Sequence, residues 1–222
     1  MKITVIIPCF NEASSISDVL NQLLSSQLDL KEVIVVDDGS TDGTTEVVRR
    51  APGVTLIQHQ RNLGKGAAIQ TGLDNATGDI IVIQDADGEY CPKDIPALTK
   101  PIVDGKADIV YGSRFLGSIS DMRKSHLIGN KALTWATEIL YWTNITDMMT
   151  GYKAFKRPVL EGIKLESRGF EFESEITSRL LRKNMKIAEV PITYSYRKKG
   201  RAKIGWKDGF KSLWWLIKCR FQ

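Results

Sequence analysis

The sequence is poor in cysteine and histidine, and it has no long apolar run. Its three cysteines, Cys9, Cys91 and Cys219, are an odd number without CxxC spacing, and there are only two histidines. A disulfide framework and a zinc centre are therefore both disfavoured, and a reducing, cytoplasmic setting is expected. No run reaches the ~18–20 apolar residues of a membrane-spanning helix, and no signal peptide is recognisable at the start.

The chain also lacks an even distribution of positive charge. Residues 197–222 contain nine Lys/Arg and one Asp, a net charge of +8, whereas the other 196 residues carry −3. The overall charge of +5 therefore comes from the tail and does not indicate that the body binds nucleic acid. We expect the tail alone to meet an anionic partner.

Short apolar runs alternate with helical patterns along most of the chain. Five of these runs predict strands, at residues 3–8, 32–40, 54–60, 79–88 and 107–115. Helices are expected between these strands. Two later strands are expected at 151–157 and 186–197, with helices at about 129–142 and 171–183. The alternation predicts an α/β fold with a mostly parallel sheet flanked by helices.

Polar residues follow each of the first five predicted strands. In chain order they read "CFNE", "DDGS", "QRNLGKG", "DADGE" and "GSR". Ligands of open parallel sheets bind beyond the carboxyl ends of the strands. The five polar segments are therefore expected to surround one site.

The segment "DADGE" places Asp85 and Asp87 two residues apart at the end of an apolar strand. Such a DxD pair by itself more often ends a loop. Beside four other polar strand ends it favours a hard cation, Mg²⁺ or Mn²⁺, which prefers carboxylates, phosphate oxygens and water. The cation would also pair carboxylates whose burial alone costs several kcal/mol.

Two other segments leave alternatives open. "RNLGKG" lacks the P-loop pattern, so Lys65 and the glycines could contact a nucleotide or could form a turn with a solvated lysine. "DDGS" could bind a base or ribose, or could form only a turn. No GxGxxG follows the first strand, which disfavours a dinucleotide cofactor.

The chain resembles the family 2 glycosyltransferases of the GT-A, Rossmann-like fold. It is most similar to the branch of dolichol-phosphate mannose synthase-like, polyprenyl-phosphate hexosyl transferases. The resemblance is carried by "VIIPCFNEA", "VIVVDDGSTDGT", "RNLGKGAAIQTGL", "GDIIVIQDADGEY", "DIVYGSRF", "TDMMTGYKAFKR", "GFEFESEI" and "AEVPITY". It implies a GT-A domain over residues 1–203, and residues 204–222 are expected from their own pattern to form a basic amphipathic helix.

The resemblance implies a nucleotide-sugar donor, with GDP-mannose favoured over UDP-glucose and UDP-N-acetylglucosamine. The residues implied to bind the donor are Pro8, Asn11, Glu12, Asp38, Arg61, Lys65, Asp85 and Ala86. Those implied to bind the metal, Mg²⁺ or Mn²⁺, are Asp85, Asp87 and Glu89, and Asp87 is also implied to be catalytic. Glu89 stands where this branch usually has Gln, which retains an oxygen ligand but adds charge.

The resemblance also implies a dolichyl or polyprenyl phosphate acceptor. Its phosphate would be held by Arg114, His126, Asn130, Arg197 and Lys203. A phosphate monoester is mostly dianionic at pH 7, so inverting transfer needs no general base. Transfer to a hydroxyl is the alternative, with Glu173 as base. An inert nucleotide-binding module is a further alternative, against which the intact "DAD" and "GSR" segments argue.

The C-terminal segment predicts an amphipathic helix from about residue 206. Trp206, Phe210, Leu213, Trp214 and Ile217 recur at helical spacing among basic residues. Such a helix lies in a membrane interface or docks its apolar face on the body of the protein. The first alternative places the enzyme at the cytoplasmic face of a membrane, held peripherally or through a partner subunit.

Overall fold

The computed structural model describes residues 1–120, 122, 124–196 and 205–222. For Lys124 it describes the backbone but not the side chain. Its strands are β1 (Ile3–Cys9), β2 (Leu30–Asp37), β3 (Val54–Gln58), β4 (Ile80–Ile83), β5 (Ile109–Ser120), β6 (Lys153–Lys156) and β7 (Ile187–Ser195). Its helices are α1 (Ile16–Leu24), α2 (Thr44–Arg49), α3 (Lys65–Asn75), α4 (Ile95–Val103), α5 (Lys124–Tyr141), α6 (Phe172–Arg182) and α7 (Trp206–Phe221). The predicted boundary between residues 203 and 204 lies outside the described residues.

The strands form one sheet in the order β3-β2-β1-β4-β6-β5-β7. β1 pairs in parallel with β2 and β4, with Val5 opposite Val33 and Val82. β6 runs antiparallel to both β4 and β5, while β7 is parallel to β5. The prediction of a mostly parallel sheet flanked by helices is confirmed.

The predicted strands are all present, although the bounds of two of them differ clearly. β4 ends at Ile83, so the polar residues after it lie outside the strand. β5 continues to Ser120, five residues beyond its predicted end, because it pairs with β7 up to that residue. Pairing between distant strands determines that length, and local residue patterns do not reveal it.

Apolar side chains fill both faces of the sheet. On one face Val5 and Ile7 pack with Leu20 and Leu23 of α1. The opposite face of the sheet meets α3, where Ile34 and Val36 pack against Ala68. Successive residues of a strand point to opposite faces, so a strand that is apolar throughout, such as β4, is what a sheet covered on both sides requires.

The C-terminal helix is present, and it packs on the body of the protein through a face other than the predicted apolar one. α7 packs on α5 and α6 through Ser212, Trp215, Leu216 and Cys219, which are buried. The five residues predicted as its apolar face are instead exposed. The expectation that this face docks on the body is therefore wrong. In the described part of the chain, no helix is both long and apolar enough to cross a bilayer.

A pair of leucines in α7 tests this packing. Leu216 is fully buried and Leu213 is exposed. We expect Leu216→Ala to lower the free energy of unfolding by about 2–5 kcal/mol, because it leaves a cavity between α7 and the body. Leu213→Ala should lower it by less than about 1 kcal/mol. Urea unfolding followed by circular dichroism measures both, and equal losses would contradict the packing.

Candidate active site

A cavity of about 750 Å³ opens at the carboxyl ends of the parallel strands. Each of the five predicted strand ends contributes to its lining, through Pro8, Asp38, Lys65, Asp87 and Arg114. α5, α6 and the start of α7 complete the wall. The sheet therefore brings together, in one place, segments that are far apart in sequence.

The turn after β1 contains Glu12 and Asn11, which were both predicted to bind the donor but make different contacts. Glu12 is buried in the lining and accepts a hydrogen bond from Ser15 Oγ at 2.9 Å. Asn11 has a left-handed backbone, with φ of 52°. Its side-chain oxygen accepts the N–H of Thr41 at 2.8 Å, and its own N–H donates to Ser40. Asn11 thus joins two turns beside the cavity.

Asp38 organises the glycine-rich loop. Its carboxylate accepts the N–H groups of Leu63 at 2.9 Å and Gly64 at 2.7 Å, and it contacts His59 Nδ1 at 2.7 Å. The loop then presents Asn62 and Gly64 to the cavity. Arg61, predicted in the donor site, has an exposed side chain and is absent from the described lining.

Lys65, at the start of α3, extends to the end of β4. Its Nζ lies 2.6 Å from Asp85 Oδ1 and 3.8 Å from Glu173 Oε1. Gly151 leaves room for this ion pair, because a Cβ there would lie 2.5 Å from Asp85 Oδ2. The solvated-lysine alternative for the "RNLGKG" segment is therefore wrong.

A second lysine completes a cluster of four charged side chains, of which Lys153 and Glu173 are buried and Lys65 and Asp85 are partly exposed. Lys153, fully buried on β6, contacts the Glu173 carboxylate and donates to the Met148 carbonyl at 3.2 Å. We call Lys65, Asp85, Lys153 and Glu173 the ion cluster. Glu173 Oε1 has no hydrogen-bond partner among the described atoms.

Burial and charge oppose one another in the ion cluster. Burial raises the pKa of Glu173 above its usual value although two lysines act to lower it. Burial lowers the pKa of Lys153 although Glu173 acts to raise it. The pKa of Lys65 is raised, because the carboxylates of Asp85 and Glu173 outweigh the effect of burial. Lys65 is therefore held as a cation beside the DxD segment.

Asp85, Ala86, Asp87 and Glu89 all line the cavity. In the described residues, no group of three or more His, Cys, Asp or Glu side chains is arranged to hold a metal ion by itself. Asp85 is paired with Lys65, and Glu89 accepts a hydrogen bond from Tyr194 at 2.8 Å. This oxygen-only set fits Mg²⁺ or Mn²⁺, which binds one or two carboxylates together with substrate phosphates. The three-ligand assignment stays a prediction.

Arg114 lines the cavity as predicted, but its partner was not predicted. The Asp147 carboxylate accepts hydrogen bonds from Arg114 Nε and Nη2, both at 2.7 Å, and from the Arg114 backbone N–H at 3.0 Å. Glu189 in turn accepts the N–H groups of Thr146 and Asp147 at 2.7 and 3.0 Å. This two-fold pairing fixes the plane of the guanidinium.

The predicted acceptor residues separate into two groups. His126 and Asn130 line the cavity from α5. Arg197 and Lys203 lie outside the described residues. The lining also includes Gly205, directly before α7, and Trp206, Asp208 and Gly209 of α7.

Sequence reasoning missed the partners of the site residues. Asp147 and Lys153 lie in "TDMMTGYKAFKR", but that segment carried no assigned side-chain role. A lysine in a strand covered on both faces is a usable signal, because such a charge needs a partner. The partner itself could not be identified, since Glu173 is 20 residues away.

The chain has an α/β fold with a mostly parallel sheet, and its carboxylates and basic side chains converge on one cavity at the strand ends. This is the architecture of a GT-A glycosyltransferase. The family model described as glycosyl transferase family 2 matches residues 4–163. The chain belongs to this family and is a glycosyltransferase.

Its relatives include proteins that act on dolichyl phosphate. A dolichol-phosphate mannosyltransferase of Pyrococcus furiosus is 31% identical, covering 96% of this chain and 62% of its own length. A UDP-N-acetylglucosamine–dolichyl-phosphate N-acetylglucosaminyltransferase of Methanococcus voltae is 30% identical, covering 95% and 94%. An uncharacterized protein of Methanocaldococcus jannaschii is 33% identical, covering 97% and 91%.

Solved structures share the fold. Glucosyl-3-phosphoglycerate synthase of Mycobacterium tuberculosis, with Mn²⁺, UDP-glucose and phosphoglyceric acid, superposes with a TM-score of 0.80 at 20% identity. The match covers 99% of this chain and 80% of that one. The same enzyme with Mg²⁺ and UDP gives a TM-score of 0.76.

A double-mutant cycle tests the ion cluster. We expect Lys153→Met and Glu173→Gln each to lower the free energy of unfolding by about 3–5 kcal/mol, because each leaves a buried charge without its partner. The double variant should lose clearly less than the sum of the two. Urea titrations of the four proteins measure the coupling, and additive losses would show that the two groups do not interact.

Proposed function

We propose that this glycosyltransferase moves a hexose from a nucleoside diphosphate sugar to a polyprenyl phosphate, such as dolichyl phosphate, at a membrane surface. The transfer is a single displacement that inverts the anomeric carbon. Two relatives named for transfer to dolichyl phosphate support this acceptor class.

The observation that carries the proposal is the position of the cavity between two helices with exposed apolar faces. His126, Gly129 and Asn130 of α5 line the cavity, as do Trp206 and Gly209 of α7. Exposed apolar side chains lie on α5 (Ile128, Trp135 and Ile139), directly after α5 (Trp142), and on α7 (Trp206, Phe210, Leu213, Trp214, Ile217 and Phe221). We call these ten residues the apolar face.

The apolar face has the composition of an interfacial membrane site. Trp142 is 85% exposed and Trp206 is 74% exposed, which is unusual for side chains of this size. The helices pack on each other, and Arg220 lies 5.2 Å from the Trp142 ring. Tryptophan and basic residues together suit the boundary between lipid headgroups and acyl chains. A lipid phosphate bound there would reach the cavity without leaving the bilayer surface.

The residues of the cavity suit a phosphate nucleophile. The acceptor is already anionic near pH 7, so the site must position it and offset repulsion between two anionic substrates. Arg114, held on Asp147, retains further N–H groups for the acceptor phosphate. Lys65 supplies positive charge beside the predicted diphosphate site. A divalent cation bound at Asp85 and Asp87 would offset charge on the departing nucleoside diphosphate.

Transfer to a hydroxyl, with Glu173 as base, is less well supported. A general base must reach the proton of the acceptor hydroxyl. Glu173 is buried, and its carboxylate contacts Lys153 and lies near Lys65. Its geometry suits charge compensation better than proton abstraction.

The donor proposal favours GDP-mannose, with UDP-glucose and UDP-N-acetylglucosamine as alternatives. The two named relatives differ in their sugar, so a screen of labelled GDP- and UDP-sugars is the direct way to choose.

The transfer itself is tested with labelled nucleotide sugars and polyprenyl phosphate. We expect label to enter the organic phase, to stop in EDTA, and to return with Mg²⁺ or Mn²⁺. Arg114→Lys retains the charge but not the planar donor group, so it should raise acceptor KM or lower kcat. Donor affinity should stay within about threefold, well below the tenfold change that 1.4 kcal/mol represents.

The surface substitution Arg157→Lys is the matched control and should change neither value. Label that stays in the aqueous phase with every donor sugar would contradict the lipid acceptor. Full activity in EDTA would contradict the metal. An equal loss of donor affinity in Arg114→Lys would move this residue to the donor side.

Membrane attachment is tested on α5, whose side chains are far from the basic tail in sequence. We expect Trp135→Ser/Trp142→Ser to weaken binding to anionic liposomes by about tenfold or more, because two interfacial rings are lost. Nucleotide binding should not change. Val103→Ser on α4 removes an exposed apolar side chain elsewhere on the surface and should have no effect. Sedimentation with vesicles measures binding, and unchanged binding by the Trp variant would contradict the membrane role.

A further inference from the structure

Tyr194 lies between the donor and acceptor sides of the cavity. It is buried in the cavity wall near the end of β7. Its hydroxyl donates to Glu89 Oε2 at 2.8 Å. The guanidinium carbon of Arg114 lies 5.6 Å from the centre of its ring. One side chain therefore contacts a predicted metal ligand and a predicted acceptor-binding residue.

The backbone around Tyr194 is joined to the segment after β4. The N–H of Ser195 donates to the Glu89 carbonyl at 3.1 Å, and Tyr90 forms an antiparallel bridge with Tyr194. The two tyrosine rings lie 5.8 Å apart in an edge-on arrangement. The hydroxyl and the Glu89 carboxylate are thus held together by more than their own hydrogen bond.

A hydrogen bond of this kind changes how a carboxylate can bind a cation. With Oε2 engaged by a hydroxyl, the Glu89 carboxylate is restricted to fewer orientations. Partners that orient metal ligands in this way commonly change metal affinity by about 10- to 100-fold when removed. The ring of Tyr194 makes a separate contribution, because the face of an aromatic ring attracts a cation such as the Arg114 guanidinium.

We propose that Tyr194 is a positioning residue with two separable parts. Its hydroxyl orients Glu89 toward the divalent cation, and its ring holds Arg114 toward the acceptor phosphate. This inference rests on the metal and acceptor sites proposed above. A glutamate at position 89 suits this arrangement, because a carboxylate accepts a stronger hydrogen bond from a tyrosine hydroxyl than a neutral acceptor does.

The hydroxyl is tested by Mn²⁺ binding to the nucleoside diphosphate complex, followed by electron paramagnetic resonance of free Mn²⁺. We expect Tyr194→Phe, which retains the ring, to weaken Mn²⁺ binding by about tenfold or more. Tyr152→Phe is the matched control, because Tyr152 is also buried and donates to the Cys91 carbonyl at 3.0 Å. It should change Mn²⁺ affinity by less than about threefold.

The Glu89→Ala background makes the test specific. Without the carboxylate there is nothing for the hydroxyl to orient, so adding Tyr194→Phe should have almost no further effect on Mn²⁺ affinity. A role limited to packing would give the same loss in both backgrounds, which would overturn the proposal.

The ring is tested by acceptor kinetics. We expect Tyr194→Met to raise acceptor KM at saturating metal by about fivefold or more, while Tyr194→Phe stays within about twofold, because only the first loses the aromatic face. Equal acceptor KM values for the two variants would overturn the ring's role.

Two failures are distinguishable. Unchanged Mn²⁺ affinity in Glu89→Ala would overturn the ligand assignment of the proposed function and this inference with it. A weakened Glu89→Ala together with an unaffected Tyr194→Phe would overturn the inference alone. Thermal melting of each variant confirms that the comparison is between folded proteins.

Discussion

The arrangement of the site depends on the ion cluster of Lys65, Asp85, Lys153 and Glu173. Lys65 comes from α3, Asp85 from the segment after β4, Lys153 from β6 and Glu173 from α6, so their pairing joins four parts of the fold at the cavity wall. Charges removed from water are tolerated only when they are paired, which means that each element must arrive in place for the others to be stable. The cluster has two basic side chains and two carboxylates, so it adds no net charge to the cavity.

The cavity combines two kinds of surface that a lipid-phosphate glycosyltransferase would need. The sheet side offers carboxylates, backbone N–H groups and basic side chains, which suit a diphosphate and a cation. The side formed by α5 and α7 has polar inner residues and an apolar outer face. Tyr194 lies in the wall of the same cavity, beside Glu89 and Arg114. The proposed donor, acceptor and membrane sites thus lie on neighbouring surfaces at the carboxyl ends of the parallel strands.

Much of the fold and part of the site could be predicted from local patterns. Apolar runs and their polar ends located the strands, and the rule that ligands lie beyond parallel strand ends placed Lys65, Asp87 and Arg114 around one cavity. The pairing of charged side chains could not be predicted in this way. Nor could the orientation of two residues predicted to bind the donor: Arg61 faces outward, and Asn11 joins two turns. Which side of α7 packs on the body was also missed, because Trp215 and Leu216 are apolar too and hydropathy does not distinguish the two faces.

The sequence by itself determined the alternation of strands and helices, the family, and the residue types collected at the strand ends. The alternation depends on spacing within short segments, where the period of a strand or helix is visible, whereas the family follows from the resemblance of its motifs. Only the tertiary structure decided which charges neutralise one another and which apolar faces remain exposed. Asp147 lies 33 residues from Arg114, and Tyr194 lies 105 residues from Glu89. Such contacts arise from sheet order and helix packing, and a linear pattern contains no record of them.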